Sequence, residues 1–319
     1  MLVYLLFVIG FVLLIKGADI LIDGSVSIAQ RYNVSSLVIG LTVVAFGTSA
    51  PELAVNVIAS FKGNNGLVIG NVVGSNIANV LLILGITAMI KTLGVKSNTV
   101  WREIPFSLIT ALLLGYMVND ILLGSGEEDT VSRADGLVLM AGFVMFIFYT
   151  FKLSKKGNDE EMEVVHYSMG KSIMLFVLGL IALVVGGQWI VNGAVAIAQE
   201  AGLSESFIGF TIVAIGTSLP ELATGVMAVR KGNTDIAIGN VIGSNIFNVF
   251  WVLGLSATIS PISFNAEDNY SVMVNVIVSV VLFALLFIGK RHQLQRWQGA
   301  LLFVGYAAYL ATLTWMAGI

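Results

Sequence analysis

The 319-residue chain contains no cysteine, which excludes disulfides, thiol nucleophiles and thiolate metal sites. Histidine occurs twice, at His166 and His292, both in or beside polar loops. An imidazole metal centre or histidine proton relay in the interior is therefore not expected. Charged residues make up 11% of the chain, less than half of the roughly 25% usual in soluble domains. The net charge is −3 with no basic cluster, so nothing marks a nucleic-acid partner. Proline occurs four times. What abounds is apolar surface: 57% hydrophobic residues and a mean hydropathy of +0.94. These values predict an integral membrane protein whose surroundings are the lipid bilayer, in a cell membrane. The first apolar run has no basic n-region and no small-residue cleavage site, and reads as a retained helix.

A bilayer-spanning helix needs about 20 mostly apolar residues. That rule predicts ten segments, near 2–29, 35–61, 67–90, 104–116 (extending toward 123), 135–153, 173–198, 207–229, 236–259, 272–288 and 299–317. The polar stretch after residue 153 separates two five-helix halves, 1–153 and 170–319, with 154–169 as a cytoplasmic linker. An odd number of crossings per half makes the second half enter the membrane from the other side. Lysine and arginine collect in cytoplasmic loops. With the N-terminus outside, thirteen fall in inward loops, two (Lys62 and Arg133) in outward ones, and Lys16 within the first helix. The expected fold is thus an all-α membrane protein of two inverted repeats, N-out and C-out.

The halves also match residue by residue. At an offset of 169, positions 36–79 and 205–248 agree at 26 of 44 places, the signature of duplication. Two blocks dominate the match. Gly47-Thr48-Ser49-Ala50-Pro51-Glu52 recurs as Gly216-Thr217-Ser218-Leu219-Pro220-Glu221, and the Gly70–Asn79 block recurs as Gly239–Asn248. Glu52 and Glu221 are the two acids deep in apolar segments. A charge at that depth costs about 2.5–3.5 kcal/mol on insertion scales. Interhelical packing by a protonated acid does not readily explain two copies with the same flanking chemistry.

Residues four apart share a helix face. Thr48 therefore stacks over Glu52 and Thr217 over Glu221, while Ser75 aligns with Asn79 and Ser244 with Asn248. Each motif proline removes a backbone donor, freeing a carbonyl at Gly47 and Gly216 or just before, at Ala45 and Ala214. Free carbonyls are tolerable in a membrane only beside a polar cavity. Carboxylate, hydroxyl, amide and carbonyl oxygens suit Ca²⁺ or Na⁺ rather than a transition metal. The pairs Gly70/Gly74 and Gly239/Gly243 read as close helix packing. Asp19 and Asp23 read as interfacial, with a Lys16–Asp19 pair as one option.

The doubled blocks resemble the two α-repeats of the cation/Ca²⁺ exchanger superfamily, specifically its prokaryotic Na⁺/Ca²⁺ exchanger branch. The resemblance covers nearly the whole chain. It implies ten helices, with the second, third, seventh and eighth around the ions and the long first and sixth sliding across them. It also implies a ligand set: Glu52, Glu221, Thr48, Ser49, Ser75, Thr217, Ser218, Ser244, Asn79, Asn248 and the carbonyls of Ala45 and Ala214. Some relatives carry aspartate where this chain has Asn248, so the implied cage holds two carboxylates rather than three, which weakens K⁺ co-transport. The expected function is antiport of Na⁺ against Ca²⁺ by alternating access, with no cofactor and no enzymatic activity. H⁺-coupled Ca²⁺ exchange is the alternative. The proton-coupled branch typically has asparagine at the positions of Thr48 and Thr217. Mg²⁺ transport fits less well because Mg²⁺ sheds water reluctantly, and a cation channel is the remote reading. Oligomeric state is left open, and a monomer is compatible with the sequence.

Overall fold

The computed structural model describes residues 2–32, 34–123, 129–154, 167–200, 214–265 and 268–316. Their architecture is helical throughout, with only two short strand pairs in the connections. α1 is Leu2–Arg31. α2 (Ser36–Thr48) and α3 (Ala50–Phe61) form one span bent by 44°. α4 covers Asn65–Ile90, α5 Ile104–Met117, α6 Asp120–Leu123 and α7 Arg133–Ser154. The second half gives α8, Met169–Glu200; α9, Ala214–Thr217; α10, Leu219–Arg230; α11, Thr234–Ile259; α12, Asn269–Leu285; and α13, Arg296–Met316. Among the described residues, six helices are long and apolar enough to cross a membrane, or seven with the bent pair. This is a multi-pass membrane protein. The expected start of the seventh segment and most of the 154–169 linker lie outside the described residues.

The fourth expected segment is present over its stated core as α5, but its extension is interrupted at Asn119, whose Nδ2 caps the Gly115 carbonyl at 2.8 Å, before α6 resumes. The ninth stops at Leu285 rather than Ile288, because the chain turns through Gly289 (φ 79°) and His292 (φ 58°). Apolar composition continues past both points, and hydropathy alone could not place them.

α1 and α8 lie antiparallel and in close contact. Their glycines repeat every seven residues, as Gly10, Gly17 and Gly24 against Gly179 and Gly186. A Cβ on Gly10 would stand 2.8 Å from the Gly186 carbonyl oxygen, and one on Gly17 2.9 Å from that of Gly179. Ser27 and Ser172 hydrogen-bond at 2.8 Å near one end, and Tyr4 donates to Glu200 at the other.

In the interior, α4 and α11 cross. The close packing expected of Gly239/Gly243 is present: their Cβ positions would meet the Leu37 and Leu41 carbonyl oxygens at 2.7 Å. Gly70 and Gly74 have nothing within 4 Å among the described residues. Their partners by internal symmetry, near 206 and 210, fall outside those residues.

The two strand pairs link loops of opposite halves. β1 (Leu93–Gly94) pairs antiparallel with β4 (Gln293–Leu294), and β2 (Thr130–Val131) with β3 (Ile262–Ser263). β1 and β3 are 169 residues apart, the same offset as the motif repeat. Neither pair is foreshadowed by the sequence, because two-residue strands carry no periodicity to read.

Candidate cation site

Both repeated motifs break their helices at the serine. Ser49 (φ −81°, ψ 4°) separates α2 from α3, and Ser218 (φ −88°, ψ 3°) separates α9 from α10. Pro51 and Pro220 stand in the first turn of the new helix, where a missing N–H costs nothing. Glu52 and Glu221 follow in the same turn, at the helix end whose dipole favours negative charge. Both side chains are 1% exposed. Neither has a basic partner among the described ion pairs.

The hydroxyls connect the two motifs. Ser218 Oγ donates to Ser75 Oγ at 3.5 Å, and Ser75 Oγ to Glu52 Oε1 at 3.5 Å. From the other side, Ser49 Oγ donates to Glu221 Oε1 at 3.4 Å. Each carboxylate therefore sits in a hydroxyl network reaching into the opposite repeat. Thr48 donates to Asn240 Oδ1 at 3.0 Å, and Thr217 to Asn71 Oδ1 at 3.4 Å.

Asn79 and Asn248 each open a π-helical segment, Asn79–Leu84 and Asn248–Leu253. Such wide turns frequently mark functional positions because they re-aim side chains. Five buried oxygens in this cluster have no hydrogen-bond partner: Glu52 Oε2, Glu221 Oε2, Asn79 Oδ1, Asn248 Oδ1 and Ser244 Oγ. Partnerless buried oxygens are costly unless something positive meets them. An oxygen-only set of this kind can bind a hard cation.

The backbone differs from expectation at Ala45. Its carbonyl accepts the Ser49 N–H at 2.9 Å and the Thr48 hydroxyl at 3.4 Å, because the break falls at Ser49 and the preceding turn stays closed. Ala214 opens α9, at the matching place in the second repeat. Among the described residues, no group of three or more His, Cys, Asp or Glu gathers. Sequence reasoning passed over Asn71, Asn76, Asn240 and Asn245, which touch the expected site residues. Their signal was present: all four lie in the duplicated block.

α8 crosses the bent segments. A Cβ on Gly47 would stand 3.0 Å from Leu180 Cδ1, and one on Gly216 2.2 Å from Val191 Cγ2. The Lys16–Asp19 pair is not among the described ion pairs; both aspartates meet a lysine of the second half instead. Lys231 Nζ lies 2.7 Å from Asp19 Oδ1 and 2.6 Å from Asp23 Oδ1, joining α1 to the end of α10.

The family model described as "Sodium/calcium exchanger protein" matches residues 2–152 and 171–315. The chain belongs to the sodium/calcium exchanger family. Among similar proteins, the sodium/calcium exchanger MaX1 of Methanosarcina acetivorans is 34% identical, over 97% of this chain and 98% of its own. Inner membrane protein YrbG of Escherichia coli is 37% identical, over 98% and 97%. The solved structure of the sodium-calcium exchanger NCX_Mj, soaked with Na⁺ and Sr²⁺, matches with a TM-score of 0.84 at 34% identity, covering 97% of this chain and 98% of that one. Membership in this family makes the protein a cation/Ca²⁺ antiporter, a transporter rather than an enzyme.

Proposed function

We propose that this exchanger swaps Na⁺ for Ca²⁺ by alternating access, both ions competing for one site between the two repeats. The observation that carries this is the set of five buried, partnerless oxygens gathered around two carboxylates that have no basic partner. The ligands we assign are Glu52, Glu221, Thr48, Ser49, Ser75, Thr217, Ser218, Ser244, Asn79 and Asn248, with the carbonyls of Ala45 and Ala214. With both glutamates ionised, one Ca²⁺ or two Na⁺ gives a neutral site. A third Na⁺ leaves one positive charge. Competition follows, because either load satisfies the same carboxylates and both together overcharge a site of low dielectric.

The arrangement we propose has ten crossings with both termini outside, repeats at 1–153 and 170–319, and a cytoplasmic linker at 154–169. Cross-chain contacts support it. β1 with β4 and Lys96 with Asp235 at 2.7 Å each join loops or helix ends that this topology puts inside. β2 with β3 and Tyr4 with Glu200 join outside ones.

Proton coupling is the second reading, since two neighbouring buried carboxylates can take protons in place of Na⁺. The deciding experiment is Ca²⁺ uptake into proteoliposomes under imposed Na⁺, K⁺ or H⁺ gradients. Uptake driven by an outward Na⁺ gradient is expected. Uptake driven by H⁺ alone, indifferent to Na⁺, would overturn Na⁺ coupling.

A further inference from the structure

A cage of hydroxyls and amides serves a cation only if its protons point elsewhere, because a group turned the wrong way presents O–H or N–H to the ion. Four asparagines outside the assigned ligand set decide that orientation. Asn79 Nδ2 donates to Asn245 Oδ1 at 2.9 Å, and Asn248 Nδ2 to Asn76 Oδ1 at 3.1 Å. With each amide nitrogen tied, Oδ1 of Asn79 and of Asn248 is left buried without a partner. Thr48 and Thr217 likewise donate to Asn240 and Asn71. All four bonds run from one repeat to the other.

Backbone carbonyls, which can only accept, fix the direction of this network at two of the four asparagines, Asn71 and Asn76. The Val68 carbonyl accepts Asn56 Nδ2 at 3.2 Å, so Asn56 Oδ1 is the atom that receives Asn71 Nδ2, at 2.7 Å. The Glu52 carbonyl accepts the same Asn71 nitrogen at 3.3 Å. Asn71 Oδ1 then remains to accept from the Thr217 hydroxyl. In the same way, the Asn245 carbonyl accepts Asn76 Nδ2 at 3.2 Å, which leaves Asn76 Oδ1 to face Asn248.

We propose that Asn71, Asn76, Asn240 and Asn245 are positioning residues for cation binding. Each accepts a hydrogen bond from one cage group of the opposite repeat and thereby turns that group's lone pairs toward the ion. The proposal rests on the cage reading above and deepens it: ligand orientation in each half is set by the other half. The two halves are not equal. The counterpart of Asn56 is Gly225, and Asn240 Nδ2 is buried without a partner. Thr48 is therefore held by a loose amide and Thr217 by an anchored one.

The test is a double-mutant cycle read by equilibrium Ca²⁺ binding to the purified protein, with exchange in proteoliposomes alongside. Asn245→Ala is expected to weaken Ca²⁺ binding about 10- to 100-fold, the range seen when the outer partner of a metal ligand is removed. In an Asn79→Ala background it should add little, because the group it orients is already gone. Equal fold-losses in both backgrounds would reduce Asn245 to a packing role and overturn the proposal. An Asn79→Ala protein that binds Ca²⁺ like the parent would remove Asn79 from the cage, and the cage reading would fail first. Asn240→Ala with Thr48→Val is the second arm. Because Asn240 Nδ2 bonds to nothing, this replacement breaks only the Thr48 bond and spares the fold. Non-additive losses support the proposal there too, and additive ones overturn it.

Discussion

The helices of this protein fall into two kinds that hydropathy ranks the wrong way round. α4 and α11 bury 78% and 94% of their most apolar stretch inside the protein, whereas α1 and α8 bury 33% and 28% of theirs. The inner pair carries Ser75, Asn79, Ser244 and Asn248 and is interrupted by π-turns. The outer pair is regular, contacts itself through glycines and leaves broad apolar faces uncovered, among them Leu5, Val8 and Val12 on α1 and Val177 and Ile181 on α8. In water, burial follows hydrophobicity. In a bilayer, lipid already solvates apolar side chains, so what must be enclosed by protein is the polar surface. On the mechanism proposed above, the inner helices bind and the outer ones hold together and move past them.

The largest effect is expected at the two carboxylates, on α3 and α10, that the site built around the inner pair encloses. Glu52→Gln or Glu221→Gln should lower Ca²⁺ exchange by at least about 100-fold with the protein still folded in the membrane. Removing one partner of a buried charge pair costs about 3–5 kcal/mol. The neutral amide also leaves a bound divalent ion half compensated. Uptake assays beside a Ca²⁺-binding measurement check this; a variant with parental binding would mean that its glutamate is not a ligand.

A large outer-pair substitution should separate the two functions. Gly17→Leu pushes a side chain into the Gly179 carbonyl and the Leu183 backbone nitrogen, both 2.9 Å from the Cβ position. Exchange is expected to fall roughly 10-fold or more, since backbone shifts on overpacking cost about 1–3 kcal/mol, while equilibrium Ca²⁺ binding stays near that of the parent. A parallel loss of binding would show that α1 shapes the site itself and would erase the division into binding and moving helices.

The smallest effect belongs to the contact between α1 of the outer pair and the end of α10. Lys231→Gln cuts the pairs to Asp19 and Asp23, whose side chains are 24% to 39% exposed. Pairs so exposed contribute about 0.2–1 kcal/mol each, so the balance between conformations should move only severalfold, toward release of α1 from α10. The absence of native cysteine allows a single introduced cysteine near the end of α1 to report this as a change in labelling rate. An unchanged rate would mean that the ion pair is not specific to one conformation.

Much of this was legible in the residues. Composition alone placed the chain in a membrane, because too little charge and too much apolar surface leave no soluble alternative. Duplication marked Glu52 and Glu221, since a costly group kept at the same place in both copies stands out against an apolar background. Helical periodicity expected Thr48 over Glu52, but the break at Ser49 puts the two on different helices, and Thr48 meets Asn240 instead. Tertiary structure alone decided the relations between helices. Ser49 serves Glu221 from 172 residues away, Asn245 holds Asn79 across 166, and Lys231 finds Asp19 across 212. The π-turns that open at Asn79 and Asn248 were equally hidden, as the runs Val-Leu-Leu-Ile-Leu and Val-Phe-Trp-Val-Leu that follow have no helix-breaking residue. A sequence records which groups are polar and how far apart they stand on one element. Which proton meets which oxygen depends on how two inverted copies cross, and that is fixed only when the helices pack.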